Sequence, residues 1–464
     1  MQTQGRQACL PEGITFTTQA QIENFQTNYP NCTEIEGDVE ISGNNITNLN
    51  GLTVLTAFGG SLTIWDSNVL TSLTGLDNVT SIGGDLWITG NASLTSLTGL
   101  ENLTSFVGNL IIGDWYYGGN SALTRLTGLD NVTSIVGDLV IQENDALTSL
   151  SGLDNVTSIG GHISIGENDA LPSLSGLDNV TFIGGSLRIV SNYVLSSLTN
   201  LGNVTYIGGS FSISHNFALT SLSSLDNLTS IGGGLYIEVN TSLNSFAGLD
   251  SLTMIGGDFH IEQNDVLTNF SGLEAVTSIG GGVFILGNEA MTSLSGLDNL
   301  TSIGGSLSIW NNAALTSLTG LENIDANSIN YLFIYYNSSL STCEVQSICD
   351  FLASPYGWIE IHDNATGCNS QAEVEEACLH ISIPEINPEP TISIYPNPAE
   401  KELFISSRNG AIIKAVNIYN QTGQMVLHEN RLTCVIDISM LRQGMYIIEV
   451  VTNESKIKEK LIIK

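Results

Sequence analysis

The chain repeats itself every 24 residues. A phrase of the form Leu-Asp-Asn-Val-Thr-Ser-Ile-Gly-Gly-x-Leu-x-Ile-x-x-Asn-x-x-Leu-Thr-Ser-Leu-x-Gly-Leu recurs with small changes across residues 37–340. Its strand positions fall at Leu62, Leu86, Leu110, Leu139, Ile163, Leu187, Phe211, Leu235, Phe259, Val283 and Leu307. They are 24 residues apart, except for 29 between Leu110 and Leu139. A unit this short cannot enclose a core of its own. It buries its apolar face against its neighbours, so the period predicts a solenoid. Most globular enzyme folds are excluded, and a long regular surface is left as the working part.

One unit shows how a coil is built. Ile163 and Ile165 straddle a single residue, which places both side chains on one face of a strand. Leu171, Leu174, Leu177 and Val180 follow at a spacing of three, which suits tight corners or short 3₁₀ turns pointing inward. Gly160 and Gly161 precede the strand, where a bend with positive φ would call for glycine. An Asn recurs three residues after the second strand residue, at Asn44, Asn91, Asn144, Asn168, Asn192, Asn216, Asn240, Asn264, Asn288, Asn312, Asn337 and Asn364. Its strict phase predicts a buried ladder that satisfies turn backbone in its own and adjacent coils. The coil at Trp65 shifts its Asn to Asn68, and the coil after Ile112 inserts Asp114–Gly118 before Asn120. Counting Val39, Leu332 and Ile359 gives about 14 coils, roughly 65 Å of parallel sheet. The pattern resembles the leucine-rich repeat signature Leu-x-Leu-x-x-Asn-x-x-Leu.

Open solenoid ends need caps. Residues 1–36 supply one, in which Thr18 and Gln21 form a capping-box pattern ahead of Ile22 and Phe25, with Cys9 and Cys32 on either side. Residues 341–380 supply the other, with Cys343, Cys349, Cys368 and Cys378 and Ser-x-x-Glu helix starts ending at Glu344 and Glu373. Cysteines at both ends and none between read as disulfide staples. Their spacing is poor for zinc, and the four C-terminal ones allow three pairings. Disulfides point to an exported protein. Cys434 is left over as a buried free thiol.

Charge divides as sharply. Nine of the twelve Lys and Arg but only seven of the 46 acids lie in 391–464, so the first 390 residues carry −36 and the rest +2. Such an acidic body is a poor partner for nucleic acid or anionic membrane. No apolar run reaches transmembrane length, so membrane insertion is not expected. Met1-Gln-Thr-Gln-Gly-Arg6 has no hydrophobic stretch, and the sequence reads as a mature chain with a start Met.

In a solenoid the inward positions hold the fold and the outward strand positions are open to function. Three outward columns contain, among others, Asp85, Asp138, His162, Arg188, Tyr236, Glu238, Asp258, His260, Glu262, Tyr331 and Trp358. Two aromatic groups are candidate ligand contacts. One is Trp65 and Trp87 with the inserted Trp115, Tyr116 and Tyr117. The other is Phe284, Trp310, Phe333 and Tyr335, read as four successive coils near the C-terminal cap, and Tyr236 joins the list. Rings beside carboxylates suit sugars, whose C–H face covers the ring while the acids accept hydroxyls. Cross-strand packing explains the same rings without any ligand.

A further column is acidic: Asp77, Glu101, Asp130, Asp154, Asp178, Asp226, Asp250, Glu274, Asp298 and Glu322, broken at Gly202. Each carboxylate caps its own turn, or cations bridge them. Capping is the simpler account; Ca²⁺ remains a hypothesis, and no metal site or other cofactor is predicted. Recurrent Asn-Val-Thr and Asn-Leu-Thr triplets match the glycosylation sequon, but their fixed phase with Val or Leu inward has a structural explanation. Asp258, His260 and Glu262 with Tyr236 and Glu238 form the best acid–base group, yet without a pocket or nucleophile motif no enzymatic role is predicted.

Two resemblances follow. "Ile-Gly-Gly-x-Leu-x-Ile" and "Leu-Thr-Ser-Leu-x-Gly-Leu" resemble bacterial secreted proteins of the receptor L-domain type over roughly residues 9–380. That implies a right-handed, leucine-rich-repeat-like β-helix at 37–340. Pro384, Pro388 and Pro390 mark a linker at 381–390. After it come Ile394-Tyr395-Pro396-Asn397-Pro398-Ala399, a turn with Gly423, Gly444-Met-Tyr446 and the terminal Lys460-Leu-Ile-Ile-Lys464. Residues 391–464 so resemble the C-terminal sorting domain of type IX secretion cargo in Bacteroidota. The resemblance implies a small β-sandwich, handling by the type IX machinery, and a secreted or outer-surface location. The expected function is an adhesin or capture protein that recognises a polysaccharide or glycoconjugate. The alternatives are protein recognition, as in receptor L domains, and a ligand-free structural spacer.

Overall fold

The computed structural model describes residues 7–355, 357–381, 392–407, 412–430, 435–452 and 456–464. They divide into two compact units, Met1–Ile381 and Ser382–Lys464.

In the first unit a 15-stranded parallel sheet runs from Ile14–Phe16 to Ile359–His362, each strand pairing with that of the next coil. The register keeps the repeat in phase: Leu139 pairs with Ile163 and Ile163 with Leu187. Two further parallel sheets, of 5 and 8 strands, are built from two-residue steps such as Ser158–Ile159. At about 4.8 Å per strand the long sheet spans roughly 67 Å. The coil count exceeds the expected 14 by one because the N-terminal cap contributes Ile14–Phe16, which pairs with Val39–Ile41. Ile163, Ile165, Leu171, Leu174, Leu177 and Val180 are all fully buried, as their spacing requires.

The Gly-Gly pair has a different cause from the one expected. Neither Gly160 nor Gly161 has a left-handed φ. A Cβ on Gly160 would instead lie 2.3 Å from the Val136 carbonyl oxygen, and one on Gly161 2.1 Å from Asp138 Oδ1. Coil-to-coil approach of the backbone excludes a side chain there. In this unit the left-handed φ occurs at the Leu-x-Gly-Leu glycine, Gly176, at +113°, and after the strand at Glu167, at +55°.

The Asn column is a continuous buried ladder. Asn168 donates from Nδ2 to the carbonyls of Ile141 (3.0 Å) and Gly166 (2.9 Å) and to Asn192 Oδ1 (3.2 Å). Its own Oδ1 accepts the Asn144 backbone N–H at 3.2 Å. The pattern repeats from Asn91 through Asn120 to Asn337 and ends at the half-buried Asn364. Asn44 is a correction: it is exposed, because the first coil is one residue short there and Gly43 takes the ladder position. Ser67 fills the rung above, donating its N–H to Asn91 Oδ1, while Asn68 pairs outside the ladder with Asn44.

Both ends are stapled, by Cys9–Cys32 at one and Cys343–Cys368 and Cys349–Cys378 at the other. Thr18 and Gln21 form the capping box of the helix Gln19–Glu23, which buries Ile22 and directs Phe25 into the core. The Ser341/Glu344 box does not form. The helix Gln346–Ala353 starts after Val345 without a side-chain cap. At Gln371–Ile381, Ser370 Oγ accepts the Glu373 N–H, but the Glu373 carboxylate accepts from Gly367 and Asn369 rather than closing the box. Cys434 and the linker prolines lie outside the described residues.

The second unit has a 3-stranded and a 4-stranded antiparallel sheet. They share one core, with Ile392, Leu403 and Ile436 from the first and Ile418, Ile448 and Leu461 from the second. The Tyr395–Ala399 segment fastens the last strand, Lys456–Ile463. Asn397 Oδ1 accepts the Ile462 N–H (2.9 Å), its Nδ2 donates to the Lys460 carbonyl (2.6 Å), and Ala399 exchanges backbone bonds with Ile462 and Lys464. Tyr395 stacks on Phe404, and Tyr446 donates to the Arg442 carbonyl. Gly423 takes a left-handed φ of +81° in the turn, and Gly444 opens the strand Gly444–Thr452.

Asn168→Ala leaves the Ile141 and Gly166 carbonyls and the Asn144 N–H short of partners in a dry core. The expected loss is about 3 kcal/mol of unfolding free energy. Asn44→Ala, at an exposed position, is expected to stay within about 0.5 kcal/mol of the parent. Urea titration of both variants measures the difference.

Candidate binding face

The long sheet has the most strands of any in the first unit, but much of its outward side is already committed. In most coils the residue directly before the strand accepts the backbone N–H of the next coil. Asp85 Oδ1 accepts from Asn109, Asn109 Oδ1 from Asp138, Asp138 Oδ1 from His162, and His162 Nδ1 from Ser186, all at 2.6–2.8 Å. Asp258 accepts from Gly282 at 2.8 Å. Sequence reasoning placed Asp85, Asp138, His162 and Asp258 among outward candidates and missed this second ladder. Its signal was present: Asp, Ser, Asn or His occupies that position in most coils, and each offers an acceptor within two bonds of Cβ.

The acidic column also has internal partners. Asp77, Glu101, Asp130, Asp154, Asp178, Asp250, Glu274, Asp298 and Glu322 each accept the N–H of the glycine two residues earlier, at 2.7–3.0 Å. This is turn capping, the simpler of the two expectations. The sequon Asn residues are used in the same way. Asn155 Nδ2, for example, donates to the Asp130 carbonyl of the previous coil, and Thr157 to that of Thr133.

The remaining outward positions hold the aromatic groups. The first group comes together as expected. Tyr117 lies against both Trp65 (centroids 5.4 Å apart) and Trp87 (6.2 Å), and Tyr116 against Tyr117 (4.8 Å) and Trp115 (6.0 Å). Trp65 Nε1 donates to Glu40 (2.7 Å), whereas Trp87 Nε1 is buried without a hydrogen-bond partner among the described residues.

The second group does not form one cluster. Phe284, Trp310, Phe333 and Tyr335 occupy three coils, not four, because Phe333 and Tyr335 share the strand Tyr331–Tyr335. They also fall in different columns. Trp310 stacks on Tyr335 and Tyr335 on His362 in the column after the strand pair. Phe284 belongs to the middle column with His260 and Tyr236, and Ser308 separates it from Phe333, which packs on Tyr331. His260 lies between those two rings and bonds Glu262 at 2.9 Å, with Glu238 at 3.9 Å. Burial, then the Asp258 and Glu238 charges, raises the Tyr236 phenol pKa; burial, then Glu360, raises that of Tyr335, so both are neutral donors. Between the groups the face carries no Phe, Tyr or Trp: its residues include Ile111, Val140, Ser164, Gly166, Arg188, Val190 and Ser212.

Sequence reasoning also missed a cavity of about 400 Å³ beside the insertion, lined by Gly119, Ser121, Glu143, Asp145, Glu167, Asp169 and Tyr193. Its carboxylates come from successive coils, a juxtaposition that exists only once the coils stack. Burial, reinforced by Glu167, Asp114 and Asp145, raises the Glu143 pKa above its ordinary 4.5.

Residues 393–464 match the family model of the secretion system C-terminal sorting domain. No curated protein matches the chain. The protein is thus a secretion-sorted β-solenoid that the type IX machinery handles, exported to the outer surface or beyond. No helix among the described residues is long and apolar enough to cross a membrane.

The folded state holds the Glu143 proton more tightly than the unfolded chain, so the ionised group destabilises at neutral pH and the penalty vanishes as pH falls through the raised value. Glu143→Gln is therefore expected to stabilise at pH 7 by on the order of 0.5 kcal/mol, given partial exposure, and to have no effect below the ordinary carboxylate range. Melting temperatures of parent and variant across that range measure this.

Proposed function

We propose that this protein is a secreted or surface-held capture protein that recognises a polysaccharide or glycoconjugate through the outward face of its long sheet. The observation that carries this reading is the segregation of rings on that face. Trp65 and Trp87 lie on the third and fourth strands, and Tyr236, Phe284, Trp310 and Tyr335 on the tenth to fourteenth, so six strand spacings, roughly 29 Å, without an outward Phe, Tyr or Trp in the sheet separate the two groups. A spacer that only stiffens a surface layer has no need of such a distribution. A polymer lying along the sheet would meet a ring group at each end. The body's −36 charge favours ligands without acidic groups. The period and the Ile-Gly-Gly phrase support kinship with receptor L-domain-type proteins, and the sorting domain supports a source in Bacteroidota. Neither the acidic ladder nor His260 with its glutamates has the nucleophile or pocket that catalysis would use, so binding without chemistry is the reading we adopt.

Protein recognition is the second reading. It is favoured by the exposed stacked pair Tyr193 and Phe217, which lies off the sheet face. A glycan and surface-polysaccharide array probed with the full chain, with and without calcium, tests the first reading. A specific carbohydrate signal, unchanged by chelator, is expected. An array without signal transfers the function to a protein partner.

A further inference from the structure

Ring faces, more than ring number, decide where a sugar can stack, because a pyranose covers an aromatic ring face-on. Trp310, Tyr335 and His362 stand in one column with planes 16° and 6° apart and centroids 5.9 and 5.1 Å apart. Their inner faces are occupied by one another, so Tyr335 is covered on both sides. Tyr236, His260 and Phe284 repeat this with tilts of 34° and 32°. Trp65 and Trp87 are covered by Tyr117.

Trp115 and Tyr116 differ. They are 74% and 70% exposed and meet edge to face at 80°, which leaves ring faces open. The segment that presents them is held in place. Asp114 and Gly118 exchange backbone hydrogen bonds, and Asp114 Oδ1 accepts the N–H groups of Tyr116 and Tyr117. A preformed platform of this kind loses little entropy on binding. The surroundings are strongly acidic. Asp114 raises the pKa of Glu143 by its charge, and Glu143 and Glu167 line the cavity that begins at Gly119. Only three Lys or Arg occur in the first 390 residues.

We propose that the Asp114–Gly118 insertion is the sugar-stacking subsite, and that its ligand is a glycan of hexosamines bearing free amines. The pyranose C–H face lies on Trp115, and the ammonium group turns toward Glu143 and Glu167. This assignment rests on the carbohydrate reading above and narrows it to one subsite and one sugar class.

The test is calorimetric titration of the full chain with a glucosamine pentamer and with its fully N-acetylated counterpart. The amine form is expected to bind more tightly, and Trp115→Ala to weaken it about tenfold or more. Glu143→Gln with Glu167→Gln is expected to erase the preference for the amine. Melting curves verify that each variant is folded. Unchanged affinity in Trp115→Ala, or equal binding of the two pentamers, overturns the proposal. Loss of binding in Trp310→Ala or Trp358→Ala but not in Trp115→Ala overturns the subsite and leaves the carbohydrate reading intact. Absence of any glycan binding, on array or in solution, removes both.

Discussion

The fold depends on a buried amide. Each coil turns sharply after its strand, and that turn leaves carbonyls and N–H groups facing a core whose side chains are almost all apolar. The Asn ladder meets them with one side chain per coil, donating to its own coil and the preceding one while accepting from the preceding backbone. Asn is suited to this because it is the shortest side chain with both an acceptor and two donors. Leucines hold coils together without direction; the amides set the register. Where the first coil loses a residue, Gly43 and Ser67 keep the register with backbone N–H and a hydroxyl, and the Asn moves outside.

The same economy shapes the surface. Asp, Ser, Asn and His before the strand, the acidic column and the sequon Asn all bond neighbouring backbone, so many residues that look available for a ligand are structural. Nine carboxylates capped by glycine N–H groups also explain how a chain can stack acids coil after coil. Each charge is partly balanced by a local dipole, which limits the repulsion between neighbours. Carboxylates without such a role stand out by contrast, and Glu143 and Glu167 are among them.

Periodicity carried most of the architecture because each coil repeats the same solution, so strands, core leucines and the ladder phase were legible in one unit. The errors lie where the repeat is imperfect or where neighbours in space matter. The strand Ile14–Phe16 was hidden inside a cap that lacks the repeat phrase. The glycine pair was assigned to backbone angle when the cause is the approach of the adjacent coil. The Ser341/Glu344 box failed because a four-residue pattern is a weak signal beside a disulfide that fixes the chain at Cys343. The second aromatic group divided because two of its members share a strand, which the spacing of 333 and 335 already implied.

By itself the sequence determined the solenoid, its period, its stapled ends and the address for export, since these rest on local patterns that repeat or on motifs in fixed order. The tertiary structure alone decided which of three cysteine pairings forms, which acids are engaged and which rings keep an open face. Those are properties of pairs brought together across coils. A ring one strand from another becomes a stacked partner or a platform depending on the column it occupies, and a column exists only once the coils are in register.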